Sequence, residues 1–363
     1  MELLWLWQAL LILAKSRAEL RGWHNIETGS YRRDKGKVPN GRAGVSADVC
    51  QPLASPGPLS PSASMVDPTI KLLLASSPKA GATLVERLML ARLNLTGAAI
   101  RYKNGKGYPL AYSHAVFQEQ NSRRPRAHHL HNCEQGGDTA DWVCITIVRN
   151  PLNRAISSYI FTLSHYDVIA KEFHELAAVS AKAHNASFSE FSQALTRRAQ
   201  VTKSRSNLDD HFMPQSIHGK RGEGGLNPGV IYVPIEMLEK PGSYECPGLE
   251  RVRGTDMKAL EGKFGANYSK HYVKKQVTSP LGSEHWSFDE IRSAKKKGQT
   301  PSYDSFWGDK ALCKHVVGCL YQNDLKTYVG ACRIPGPLQR CAPFRATCEE
   351  QLKRLRDVCG LDV

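Results

Sequence analysis

Val143-Cys144-Ile145-Thr146-Ile147-Val148-Arg149-Asn150-Pro151-Leu152-Asn153-Arg154-Ala155-Ile156-Ser157-Ser158-Tyr159 is the stretch that decides how this chain folds. Its first six residues are nearly all apolar and rich in β-branched side chains, which suits a strand covered on both faces, as in a parallel sheet. The run stops at Arg149-Asn150-Pro151, where Asn caps a helix well and Pro fits its first turn. From Leu152 to about Leu163 the spacing predicts a helix, so the stretch reads strand, sharp turn, helix. Open α/β sheets bind ligands outside the carboxyl ends of their strands. Arg149 leaves the strand there, and Ser157, about two turns into the helix, has a hydroxyl to offer the same anion.

The same order of elements occurs upstream. Ile70-Lys71-Leu72-Leu73-Leu74-Ala75 predicts a buried strand that ends at Ser76-Ser77-Pro78. From Gly81 the pattern turns helical, with Leu84, Leu88, Leu90 or Ala91, and Leu95 on one face and Glu86, Arg87 and Arg92 on the other, so that Glu86 reads as surface charge. The connecting Pro78-Lys79-Ala80-Gly81-Ala82-Thr83 is a loop of small residues opening a helix. Such a loop presents backbone N–H groups and the positive end of the helix dipole to a phosphate, and Lys79 adds a full charge. It is not the nucleoside-triphosphate P-loop, which ends in Gly-Lys-Ser/Thr, because here the lysine precedes the glycine. Taken alone, an ordinary strand–helix turn explains it as well. A third strand is predicted at Val230–Val233, and further helices at Val168–Ala183, Phe188–Ala199 and Leu312–Tyr328. Strands alternating with helices predict an α/β fold with a P-loop-like parallel sheet flanked by helices.

Around this core the composition divides the chain. Residues 1–14 form a short apolar segment resembling a signal or anchor; its run Leu3–Leu13 is too short for a hydrocarbon core of about 30 Å. Residues 15–66, rich in Gly, Ser, Pro and scattered charge, read as a disordered stalk or linker. Residues 67–330 then form the catalytic domain and 331–363 a Cys-rich C-terminal tail. Six of the ten cysteines (Cys313, Cys319, Cys332, Cys341, Cys348 and Cys359) fall close together without a C-x-x-C pair. That favours a disulfide-braced region, including a disulfide-held helix over Cys348–Cys359, over a zinc site. With sequons at Asn94, Asn185 and Asn267, it points to a glycoprotein of the secretory route. The net charge of +15 draws anionic partners.

Two phosphate-directed turns suit a ligand with phosphate at both ends. The loop PKAGAT and the stretch VRNPLNRAISSY resemble the paired signatures of sulfotransferases that use 3′-phosphoadenosine 5′-phosphosulfate. The subtype resembles the Golgi carbohydrate sulfotransferases of the chondroitin, dermatan and HNK-1 type, related to heparan sulfate 2-O-sulfotransferase. Phe188-Ser189-Glu190-Phe191, Asp210-His211-Phe212-Met213-Pro214-Gln215 and Tyr232-Val233-Pro234-Ile235-Glu236 are loosely similar to later stretches of that group. The resemblance covers roughly residues 68–330. It implies that Pro78, Lys79, Ala80, Gly81, Ala82 and Thr83 cradle the 5′-phosphosulfate and that Arg149 with Ser157 holds the 3′-phosphate. Ala82 stands where relatives carry Thr or Ser, which passes that hydroxyl contact to Thr83. His211-Phe212 stands where many have His-Trp, and Pro234-Ile235 where they have Ile-Gly. A Golgi lumenal location follows as an expectation, as a type II membrane protein with an N-terminal anchor or as a soluble secretory-pathway protein.

Sulfuryl transfer needs a base for the acceptor hydroxyl, cations for the sulfuryl oxygens and a donor to the leaving phosphate, and no metal. Lys79 fits the last role. For the base, His129 and His131 in His129-Leu130-His131 are the first candidates, since imidazole titrates near working pH, and the spacing resembles the His-x-His of the 2-O-sulfotransferase. A solvent-facing histidine-rich turn explains them equally well, and His114, His165 and His211 are alternatives. The acceptor is expected to be a glycan or polysaccharide, drawn by basic clusters such as Arg123-Arg124-x-Arg126, Arg197-Arg198, Lys220-Arg221, Lys274-Lys275 and Lys295-Lys296-Lys297. No nucleic-acid partner is expected, because these clusters lack interleaved aromatics. The competing readings are an inactive relative that binds acidic polysaccharide and a nucleotide-dependent kinase.

Overall fold

The computed structural model describes residues 50–53, 63–67, 69–105, 112–113, 142–164, 187–201, 211–215, 226, 229–238, 240, 243–249, 275–277, 290–291, 293–294, 297 and 299–363. A four-stranded sheet lies at the centre, in the order β1 (Ala63–Asp67), β2 (Leu72–Ser76), β3 (Val143–Val148), β4 (Val230–Pro234). The strands β2, β3 and β4 run parallel, and β1 adds an antiparallel edge. Every residue of β2 is buried and all but the first of β3, as parallel strands covered on both faces require. Each buried leucine of β2 contributes about 1.5–3 kcal/mol. Pairing Ser76 with Ile147 and Val148 with Pro234 brings the carboxyl ends of the parallel strands into one row.

After β2 comes α1 (Ala82–Arg92), and after β3 comes α2 (Pro151–Ser164). Asn150 caps α2 as its turn chemistry predicts: its side-chain Oδ1 accepts from Leu152 N at 2.9 Å, with Pro151 in the first turn. A capping box opens α3 (Phe188–Val201), where Ser187 Oγ accepts from Glu190 N and Glu190 Oε2 from Ser187 N. Later come α4 (Gln322–Arg333) and α5 (Ala342–Cys359). One core joins the sheet to α1 and to residues such as Tyr328 and Phe344. A second packs α2 and α3 with Phe306, Trp307, Val316 and Tyr321, where Tyr159 meets Phe188, Phe191 and Phe306 ring to ring. No described helix is long and apolar enough to cross a membrane.

Four places depart from the sequence reading. β1 falls in the stretch read as a linker, and so does Cys50–Leu53, which is fixed by the Cys50–Cys319 disulfide and by Leu53 N donating to Leu320 O at 3.0 Å. The late helix is a helical turn Lys310–Cys313 and a π-helix Lys314–Leu320 before α4. Residues 331–363, the Cys-rich C-terminal region, contribute Ala331, Leu338, Phe344 and Cys348 to the core around the sheet. Glu86, read as surface charge, is 1% exposed, because α1 buries nearly its whole circumference.

The disulfide reading of the Cys-rich region holds. Cys313 pairs with Cys359, Cys332 with Cys348, Cys341 with Cys246 and Cys319 with Cys50, and no described cysteine is free. The helix expected over Cys348–Cys359 is the last two-thirds of α5 (Ala342–Cys359). The helix expected over Val168–Ala183 lies outside the described residues.

Candidate active site at the carboxyl edge of the sheet

The turn after β2 is tight: Ala80 N donates to Ser77 O at 2.9 Å, and Lys79 takes a positive φ of 62°. Gly81 follows at φ 114°, and a Cβ there would stand 2.9 Å from Ile235 Cδ1 and 3.2 Å from Ile147 Cγ2. Only glycine satisfies both the conformation and the space. α1 starts directly after it with no side-chain cap, so the N–H groups of its first turn are left for an external acceptor. Thr83 is exposed there while Ala82 and Pro78 are half-buried and Ala80 is buried.

Arg149 stands at the end of β3, one strand over. Gln215 fixes its backbone from both sides, accepting from Arg149 N at 2.8 Å and donating to Arg149 O at 2.9 Å. The guanidinium reaches back to the first loop, with Nη1 donating to Lys79 O at 2.8 Å. Nη2 meets the Tyr303 hydroxyl at 3.4 Å, and the guanidinium carbon lies 5.5 Å from the Tyr303 ring centre. Nε is buried and has no partner among the described residues. A buried N–H on a cation at a strand end is a position that an anionic oxygen would satisfy. The loop amides and Arg149 therefore fit a ligand carrying two separated anionic groups.

The turn after Arg149 is held from below. Glu236, just beyond β4, accepts from Asn150 N at 3.0 Å and from Asn153 Nδ2 at 2.9 Å. Tyr328 donates to Glu236 at 3.4 Å, and burial, with the Glu236 carboxylate beside it, pushes this phenol well above its ordinary range. Arg154 does not face the site. It is fully buried, pairs with the buried Asp324 at 3.2 Å and donates to the Met213 carbonyl. Burial raises the Asp324 carboxyl above its usual range, against the pull of Arg154 and of the Gln215 bonds. Asp324 in turn accepts from Gln215 N at 3.2 Å. A chain of contacts thus runs from a buried ion pair through Gln215 to the backbone of Arg149.

Lys79 and His211 meet on the Phe161 side chain. The Lys79 ammonium lies 3.8 Å from the Phe161 ring centre, and the His211 ring stacks on the same side chain at 3.8 Å, 15° from parallel. Ser157 is half-buried one turn before Phe161, on the same face of α2. Ser158 Oγ donates to the His211 carbonyl at 2.8 Å and fixes that segment on α2.

Of the residues singled out in the sequence, Pro78 to Thr83, Arg149 and Ser157 fall at this edge. His129, His131, His114 and His165 lie outside the described residues. So do Arg123, Arg124, Arg126, Lys220, Arg221, Lys274, Lys295 and Lys296. Tyr159 packs in the aromatic cluster. Sequence reasoning missed the bracing roles of Gln215 and Glu236, whose signal was only their place in loosely similar stretches, and missed Tyr303, Gln351 and Arg354, which carry no local signal.

No curated protein and no solved structure matches the chain. The model of the sulfotransferase family matches residues 62–232, a stretch that opens on β1, carries both strand-end turns and closes in β4.

Proposed function

We propose that the chain transfers a sulfuryl group from 3′-phosphoadenosine 5′-phosphosulfate to a hydroxyl group of a glycan or polysaccharide. One observation carries the reading: Arg149 Nη1 on the Lys79 carbonyl. It puts a loop suited to a 5′-phosphosulfate and an arginine suited to a 3′-phosphate within one side chain's length. A nucleotide with anionic groups at both ends of its sugar matches that pair better than a triphosphate, whose charge lies in a single row. In the transfer the bond from sulfur to the bridging phosphate oxygen breaks, a bond from sulfur to the acceptor oxygen forms, and the acceptor proton passes to a base. Lys79 stabilises the leaving oxygen, the N–H groups of the loop and of α1 hold the 5′-phosphate, and Arg149 with Ser157 holds the 3′-phosphate. His129 and His131 are assigned the proton. An acidic glycan acceptor accords with the net charge of +15. A Golgi lumenal site, anchored or soluble, accords with the paired cysteines.

The test is thermal stabilisation of the full chain by adenosine 3′,5′-bisphosphate beside ATP, with Arg149→Ala as control. At one hundred times its dissociation constant a ligand adds about 2.7 kcal/mol. Stabilisation by the bisphosphate that Arg149→Ala abolishes supports the reading. A folded protein that ignores the bisphosphate, or prefers ATP, overturns it. Labelled sulfate transferred to a panel of glycans then identifies the acceptor.

A further inference from the structure

The C-terminal part of the chain lies beyond the family match, yet it grips the Arg149 turn at several points. Arg354 of α5 donates from Nη1 to Asn153 Oδ1 at 2.9 Å and from Nε to Asp304 Oδ1 at 2.9 Å. Its Nη2 contacts the same Asp304 carboxylate. Gln351, one turn earlier on the same face of α5, accepts from Asn150 Nδ2 at 2.9 Å. Asp304 adjoins Tyr303 in the short helical turn Tyr303–Phe306. Phe306 anchors that turn in the core, 5.7 Å from the Tyr159 ring and 6.0 Å from that of Phe188.

We propose that Tyr303 is a member of the anion site at Arg149, its hydroxyl binding the phosphate group held there, and that Arg354 is the positioning residue that keeps it in place. This rests on the nucleotide reading above. The guanidinium has three directions to satisfy. Nη1 is taken by the Lys79 carbonyl, and among the described residues Nε has no partner and Nη2 meets the phenol alone, at long range. An anion bound along the Nε–Nη2 edge arrives beside the Tyr303 hydroxyl. A phenol both accepts and donates, so it can turn its O–H from the arginine to the incoming oxygen. A carboxylate there would repel the anion, and the neighbouring Asp304 carboxylate is engaged by Arg354. Loss of Arg354 both loosens Tyr303 and releases a negative charge beside the site.

The experiment is calorimetric titration of the full chain with adenosine 3′,5′-bisphosphate and with adenosine 5′-monophosphate, the second lacking only the 3′-phosphate. Tyr303→Phe keeps the ring and deletes the hydroxyl. It should weaken the bisphosphate about tenfold, as expected for a hydrogen bond to a charged group, and leave the monophosphate unchanged. Arg354→Ala should narrow the preference for the bisphosphate in the same selective way, whereas a merely structural role would weaken both ligands together. Bisphosphate binding by the wild type that Tyr303→Phe leaves intact, or an equal loss for both ligands, overturns the role of Tyr303 alone. Failure of the wild type to bind the bisphosphate overturns the nucleotide reading and this inference with it.

Discussion

Replacing Gly81 by alanine tests the close packing at the loop after β2. The new methyl would stand 2.9 Å from Ile235 Cδ1 and 3.2 Å from Ile147 Cγ2, on backbone held at φ +114°. A side chain in the left-handed region costs about 1–2 kcal/mol, and forcing a methyl into packed surroundings about 1–3 kcal/mol. Ile235 can yield, since its contact is the far end of a side chain. Ile147 is β-branched, stiff at χ1, and lies within β3. The sum is about 3 kcal/mol. With a urea slope of about 3 kcal/mol per molar, the unfolding midpoint should fall by about 1 M. In the double variant Gly81→Ala, Ile235→Ala, the clash at Ile235 disappears while the backbone cost stays, so a double-mutant cycle should give a coupling of about 1 kcal/mol. A single-variant midpoint within about 0.2 M of wild type would refute the packing argument.

Two further tests address the frame behind the site. Asp324→Asn leaves the buried Arg154 charge without its partner and should cost about 3–5 kcal/mol in urea unfolding, whereas Arg154→Met with Asp324→Leu removes both charges but orphans Gln215 N and the Met213 carbonyl and should still cost about 1–3 kcal/mol; a single variant losing less than about 1 kcal/mol would show the pair to be dispensable. His315, whose Nε2 lies 2.8 Å from Thr196 Oγ1, is held below its ordinary range by burial. The unfolded chain therefore takes the proton first, so the stability this residue contributes is full above about pH 6.5 and is lost as pH falls through its folded value. Unfolding measured on both sides of that pH should show a smaller acid loss in His315→Gln, and an equal loss in both proteins would remove His315 as the cause.

The strands that build the site were readable because each is a continuous apolar run ending in its own turn chemistry. Asn150 and Pro151 announce α2 within a few residues, and Gly81 announces the bend before α1. β1 escaped because a short antiparallel edge strand such as Ala-Ser-Met-Val-Asp has neither a long apolar run nor a clean alternation. Glu86 was misread because a helical wheel assumes one wet face, and α1 has almost none. The braces were beyond reach for a different reason. Gln215 acts on Arg149 across 66 residues and Gln351 on Asn150 across 201, and no local pattern encodes partners at such distances. Tyr303 is a tyrosine in a polar turn until Arg149 is seen above it.

The hold of α5 on the Arg149 turn also sets an order in time. Translation delivers Arg149 and Asn150 long before Gln351, and Cys50 precedes Cys319 by 269 residues. In an oxidising compartment Cys50 emerges with its native partner not yet made, so early pairings are provisional and must be exchanged before the domain closes. A premature stop anywhere between β4 and α5 would leave the family-matched segment whole in sequence and still remove Gln351 and Arg354 from the Arg149 turn. Completion of this site therefore waits for α5, and the damage done by a truncation depends on whether α5 is still made more than on how far the stop lies from the signature residues.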